Sequence, residues 1–222
     1  MSIHFTREID NLKRKILSLS AVVEEQVRQA AKAVQERDAQ LAKEVISGDI
    51  DIDEAEVEIE EDCLKILALY QPVAGDLRFL VAVLKINNDL ERIGDLAVNI
   101  ARKAAALASQ LPMTVPFDLA AMVERTQAML RDSLDALVNL DTSLANRVCA
   151  SDDEVDKMKR AARLKIEEMI KIEPDRVAYL LKLLAAARNM ERIADLTTNI
   201  AEDVIYMVDG KIVRHHVQDY SP

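Results

Sequence analysis

Between residues 83 and 100 apolar side chains recur at alternating spacings of three and four: Val83, Ile86, Leu90, Ile93, Ala97 and Ile100. Leu183, Ala186, Met190, Ile193, Thr197, Ile200 and Val204 keep the same rhythm further along the chain. On an α-helix that spacing gathers the side chains into one stripe, which escapes water only by packing against other helices. The intervening positions are rich in Ala, Leu, Glu, Lys and Arg, all good helix formers, and no period-2 strand pattern occurs. Breaks fall at Gly48, at Pro72 and Gly75, at Pro112 and Pro116, at Pro174 and at Gly210. The pattern therefore predicts helices over about 6–46 (with an interruption near Asp38), 50–70, 76–108, 117–149, 153–172 and 175–208. Short Pro/Gly turns make successive helices antiparallel neighbours, so the expected fold class is an all-α helical bundle.

The chain also repeats itself. Displaced by 100 residues, Glu91-Arg-Ile-Gly-Asp95 meets Glu191-Arg-Ile-Ala-Asp195, and Asn99-Ile-Ala101 meets Asn199-Ile-Ala201. Displaced by 103, Asp38, Leu41, Ala42 and Val45 meet Asp141, Leu144, Ala145 and Val148. The same displacement pairs Asp49, Ile52 and Asp53 with Asp152, Val155 and Asp156. Two tandem three-helix bundles are expected: residues 1–110, then 117–210, with a 111–116 linker and a 211–222 tail.

Composition narrows the function. Of 222 residues, 39 are acidic and 29 basic, a net charge of −10, and aromatics are 3% with no Trp. That balance argues against a nucleic-acid binder, which needs clustered Lys and Arg and often stacking rings. Cys63 and Cys149 stand far apart without CxxC or Cys–His spacing, which excludes a disulfide framework or structural zinc site. The amino terminus lacks a signal-peptide pattern, and the longest apolar runs are too short to span a bilayer. A soluble, cytosolic protein is expected.

Candidate chemistry lies in carboxylates. Glu91 and Asp95 stand one helical turn apart on one face with Asn99 a turn beyond, and Glu191, Asp195 and Asn199 repeat the ladder. If the preceding helix packs antiparallel, Asp49 and Asp53 fall alongside the first ladder, and Asp152 and Asp156 alongside the second. Each half thus gathers four carboxylates, which repel unless a cation sits among them. An all-oxygen set suits hard cations such as iron(III), manganese, magnesium or calcium. It lacks the Glu-x-x-His pairs of ferritin-like di-iron bundles.

Plainer roles compete. Asp49 and Asp152 can serve as helix N-caps, Asp53 and Asp156 as first-turn acids, with Arg92 or Arg192 neutralising the pairs. The acid-dense run 49–62 and Lys13-Arg14-Lys15 read as solvated surface, and His215 and His216 as a frayed terminus. No Gly-rich phosphate loop, nucleophile elbow or Cys/His constellation is present. A metal-dependent hydrolase and a metal-storage bundle remain as alternatives to a non-catalytic adaptor.

The duplicated Leu90-Glu-Arg-Ile-Gly-Asp95 and Met190-Glu-Arg-Ile-Ala-Asp195, each followed by Asn-Ile-Ala, resemble the signature of the PhoU family. Gln71-Pro-Val-Ala-Gly-Asp-Leu-Arg78 and Asn199-Ile-Ala-Glu-Asp-Val-Ile-Tyr206 fit as well, and the likeness covers residues 6–208. It implies two three-helix bundles related by pseudo-twofold symmetry. It further implies a cytoplasmic negative regulator of phosphate uptake and the phosphate-starvation response, often a homodimer. Such a protein joins a phosphate ABC transporter, through its ATPase subunit, to a membrane sensor histidine kinase, touching membrane complexes only peripherally. By motif, Glu91, Asp95, Glu191 and Asp195 inherit the binding of multinuclear iron, zinc or another divalent metal, with Asp49, Asp53, Asp152 and Asp156 as partners. Ala194 in place of Gly94 departs from strict repetition, altering packing while leaving both acids in place.

Overall fold

A computed structural model describes residues 3–213, and every regular element in that span is helical. Helix α1 (Ile3–Glu36) ends at Arg37, whose φ of 56° is left-handed. Asp38 then caps α2 (Ala39–Ser47), its Oδ1 accepting from the backbone N–H of Gln40 at 2.8 Å and of Leu41 at 3.0 Å. Gly48 keeps right-handed angles (φ −78°, ψ −5°), so α3 (Asp49–Tyr70) follows with only a slight break. Helix α4 (Ala74–Ala108) closes the first half, and residues 109–118 form no regular helix. The second half holds α5 (Leu119–Asn139), α6 (Thr142–Ile172), a 3₁₀ turn (Pro174–Arg176) and α7 (Val177–Asp209), which stops at left-handed Gly210.

One expected boundary is displaced. The pattern predicts a helix over 117–149 and another from 153, but the break lies at 140–141 and α6 runs unbroken through 150–152. Leu140 turns the chain at φ 53°, and Asp141 caps α6 by accepting from the Leu144 N–H at 3.0 Å. A left-handed Leu carries no Gly or Pro signal, which is why the hydrophobic pattern passes over it. Asp152 therefore stands inside α6 and is no N-cap; Asp49 is the first residue of α3, where Gly48 offers no side-chain cap.

Helices α4 and α7 form the central pair, packed along each other. Helices α1, α2 and α3 lie on α4, and α5 and α6 lie on α7. All the stripe positions listed above are buried. All of them except Ala186 and Thr197 belong to one continuous aliphatic core with Leu12, Ile52, Ile59 and Ile66, and each large side chain taken from water contributes roughly 1.5–3 kcal/mol. Cys63 and Cys149 are buried and not joined in a disulfide, and burial pushes the Cys63 thiol up to about 12. The segment carrying His215 and His216 lies outside the described residues.

Candidate functional site

Two cross-helix contacts fix how α3 lies on α4. Ile52 meets Gly94, and the Asn87 side-chain amide donates to the Glu56 backbone carbonyl at 2.9 Å and to its Oε1 at 3.3 Å. As numbers rise on α3 they fall on α4, so the helices are antiparallel. Asp49 and Asp53 consequently face Glu91 and Asp95, with Glu56 beside them. Glu91 is half-buried, and its carboxyl is held above the usual range, first by burial and then by Asp95, Asp53, Glu56 and Asp49. Burial also raises Asp49, with Asp53 and Asp95 adding to the effect, although the Gln26 amide (Nε2–Oδ1 3.3 Å) and Arg102 pull the other way. Glu56 is raised by burial, Glu60 and Asp53. In this first group Asp49, Glu56 and Glu91 take up a proton more readily than in water, through burial first and neighbouring acids second.

The second group has the same acids and a different centre. Lys159, on α6, donates to Asp156 Oδ1 at 3.0 Å and makes a shorter bond to Glu191 Oε1 on α7. Arg160 adds a 3.4 Å contact to Asp156 Oδ2. The ammonium draws Asp156 below the usual carboxylate range and is itself held charged, most strongly by Glu191. Asp152 is raised by burial and by Asp156, Asp153 and Glu191, with Lys159 opposing. Asp195 reaches solvent, yet crowding by protein and by Glu191, Asp152 and Asp156 pushes it up to about 6.

Between the halves, α4 and α7 border a groove lined by Arg92, Asp95, Leu96 and Asn99 and by their counterparts Arg192, Asp195, Leu196 and Asn199. Asn99 and Asn199 thus face this shared groove, and Asn99 Oδ1 accepts a long 3.4 Å bond from Arg102. Among the described residues no three His, Cys, Asp or Glu side chains converge as closely as a bound ion would draw them.

The hydrophobic and charge pattern singles out the eight acids but passes over Gln26, Glu56, Asn87 and Lys159. Their signal lies in the repeat. Displaced by 103, Gln26 meets Met129 and Glu56 meets Lys159; displaced by 100, Asn87 meets Ala187. At these positions around the acids the two halves differ.

A sequence profile of the PhoU domain matches this chain twice, at residues 7–104 and 119–204. The chain belongs to the PhoU family. The phosphate-specific transport system accessory protein PhoU homolog of Aquifex aeolicus is 37% identical over 214 residues, covering 96% of this chain and 97% of that one. The PhoU protein of Escherichia coli, also named a phosphate-specific transport system accessory protein, is 34% identical over 95% of this chain and 88% of its own. The crystal structure of PhoU from Pseudomonas aeruginosa superposes with a TM-score of 0.90 at 34% identity, covering 93% of this chain and 100% of that one. The Streptococcus pneumoniae structure, titled a phosphate transport system regulatory protein PhoU, gives 0.83 at 29% identity, over 94% and 99%. The all-α PhoU bundle expected from the repeat is thus the fold observed. Among the described residues no helix is long and apolar enough to cross a membrane.

Proposed function

We propose that this PhoU-family chain is a cytoplasmic, non-catalytic accessory protein of phosphate uptake that restrains the phosphate-starvation response. It acts as an adaptor, working as a homodimer, between the ATPase subunit of a phosphate ABC transporter and a sensor histidine kinase. The observation that supports this most is family membership over nearly the whole chain, with relatives named as phosphate-transport accessory proteins. The surface chemistry is compatible with docking. A chain of net charge −10 with acids massed on α3 favours encounter with basic partner surfaces.

A hard cation on an acidic face belongs to the same reading. Asp49, Asp53, Glu91 and Asp95 are an all-oxygen set whose two half-buried members, Asp49 and Glu91, are raised by burial and then by neighbouring acids, which fits such an ion. When bound, it supplies positive charge that relieves their repulsion and stiffens the α3–α4 seam. Nothing in the site calls for turnover.

The test is a pull-down with the purified ATPase subunit and the kinase's cytoplasmic portion, with and without added Mn²⁺. Retention of both partners is expected, weakening as salt rises. Failure to retain either one, in both conditions, rejects the adaptor.

A further inference from the structure

Helix α3 carries apolar stripes on two opposite faces. Ile52, Ile59, Cys63 and Ile66 are buried against α1 and α4. Ile50, Val57 and Leu64 each stand two residues ahead of one of those isoleucines, about 200° around the helix, and are 61%, 53% and 54% exposed. Lone apolar residues on a surface need no explanation, but these recur every seven residues. With Glu54, Glu61 and Ala68 they alternate spacings of four and three from 50 to 68, the rhythm of a coiled-coil seam. Every position of this seam is exposed, and among the described residues no other helix lies on it.

The second half shows that the fold does not need the seam. Displaced by 103, the buried Ile52, Ile59 and Cys63 remain buried and apolar as Val155, Ala162 and Ile166. The outer positions become Asp153, Lys157, Arg160, Leu164, Glu167 and Lys171, a polar face broken by one leucine.

Charge decides what covers the seam. Lys65 is the only basic residue of α3, and Asp51, Glu58 and Glu60 flank the stripe that Glu54 and Glu61 interrupt. Of these five acids, Glu58 alone has an ion-pair partner among the described residues, Lys15 at 3.3 Å. A second copy of this face would set acids against Glu54 and Glu61, and an anionic membrane or a nucleic acid is repelled. About 21 Å of one helix face buries less than a stable dimer needs, which suits a partner that binds and leaves.

We propose that this face of α3 docks a basic amphipathic helix of a partner protein. Its Leu or Ile side chains sit on Ile50, Val57 and Leu64, and its Lys or Arg side chains meet Glu54 and Glu61. This rests on the adaptor reading above and gives one of the two docking events a surface.

The probe is a fluorescein-labelled peptide of three heptads, with Leu and Arg alternating along one face and Lys beside them, titrated onto the full-length protein and followed by anisotropy. Saturable binding that weakens with salt is expected for the wild type and for Leu164→Ser, which changes the equivalent face of α6. V57S/L64S and, separately, E54K/E61K weaken it about tenfold or more, while melting temperatures hold because all four side chains are exposed. A shuffled peptide of the same composition, whose Leu residues do not align, binds about tenfold more weakly. Equal binding by the shuffled peptide makes the attraction charge alone and overturns the seam. In pull-downs with the ATPase subunit and the kinase's cytoplasmic portion, V57S/L64S is expected to lose one partner and keep the other. If it keeps both as the wild type does, the docking face falls while the adaptor stands. If the wild type retains neither, the adaptor falls and the inference with it. A change of oligomeric state in sedimentation of V57S/L64S assigns the face to a second copy. Flotation of the wild type on phosphatidylglycerol vesicles that V57S/L64S loses assigns it to lipid, and either result overturns the proposal.

Discussion

Gly94 shows how one residue difference between the halves is absorbed by another. A Cβ placed there meets Gln26 Oε1 and Ile52 Cδ1 at 3.2 Å each, closer than side chains ordinarily approach. Both neighbours are buried and cannot swing away. The second half has Ala194, and opposite it Val155 replaces Ile52, so the methyl added on one helix is removed from the other. Gly94→Ala should therefore destabilise the protein by roughly 1 kcal/mol, an overpacking cost of about 1–3 offset by about 1 of helix propensity. Ile52→Val alone should cost about 0.5–1.5 kcal/mol. The double variant should lie closer to wild type than the two losses summed, and urea midpoints of all four proteins measure that coupling. At the same scale, Asp195 yields a pH signature. Its folded value, about 6, lies above the ordinary 3.8, so the folded state binds the proton more tightly and stability falls as pH rises between those values. In chelated protein Asp195→Asn should flatten the decline in melting temperature across that window. The eight acids were legible in the sequence because they repeat. Lys159 was not, because a lysine beside Lys157 and Arg160 on a charged helix looks like surface until the neighbouring helix supplies Glu191.

The helices were legible where their ends carry chemistry. Pro72, the Pro112–Pro116 pair and Gly210 mark stops that the structure keeps, and Asp38 announces the α1–α2 break. The α5–α6 break was missed because Leu140 makes the left-handed turn that glycine makes more easily, although the repeat already paired Asp141 with Asp38. That exception gives a direct test. Leu140 is 53% exposed, so replacing it with Gly removes little packing and relieves a left-handed conformation that costs a non-glycine residue about 1–2 kcal/mol. After the entropy cost of glycine, Leu140→Gly should be neutral to about 1 kcal/mol stabilising. Asp141→Ala should cost about 1 kcal/mol through loss of the bond from Leu144, in the same thermal melts. If glycine at 140 instead destabilises by more than 1 kcal/mol, the side chain's contacts outweigh its strain.

Across the whole molecule, the two halves are joined along α4 and α7, and that seam is where a regulatory bundle has to be rigid or yielding. Most of it is aliphatic, but Lys85 on α4 reaches Asp203 on α7, Nζ to Oδ1 at 2.5 Å, with the carboxylate 1% exposed and the lysine also set against the Tyr206 ring. Lys85 stands on the first half and Asp203 on the second, so the pair reports their docking directly. Removing one partner of a buried pair leaves a desolvated charge, whereas replacing both by apolar groups of similar size removes the penalty together with the attraction. Lys85 is about one-third exposed, which lowers the cost below that of a fully enclosed pair. Lys85→Met should therefore destabilise by about 2–3 kcal/mol, and Lys85→Met/Asp203→Leu should recover most of that loss. Hydrogen exchange distinguishes what is lost. If the pair clamps the halves together, amides of α4 and α7 at the seam lose protection in Lys85→Met while those of α1 and α6 keep it. Uniform loss across all helices would instead show that the two repeats melt as one unit, their shared core outweighing the Lys85–Asp203 pair that crosses it.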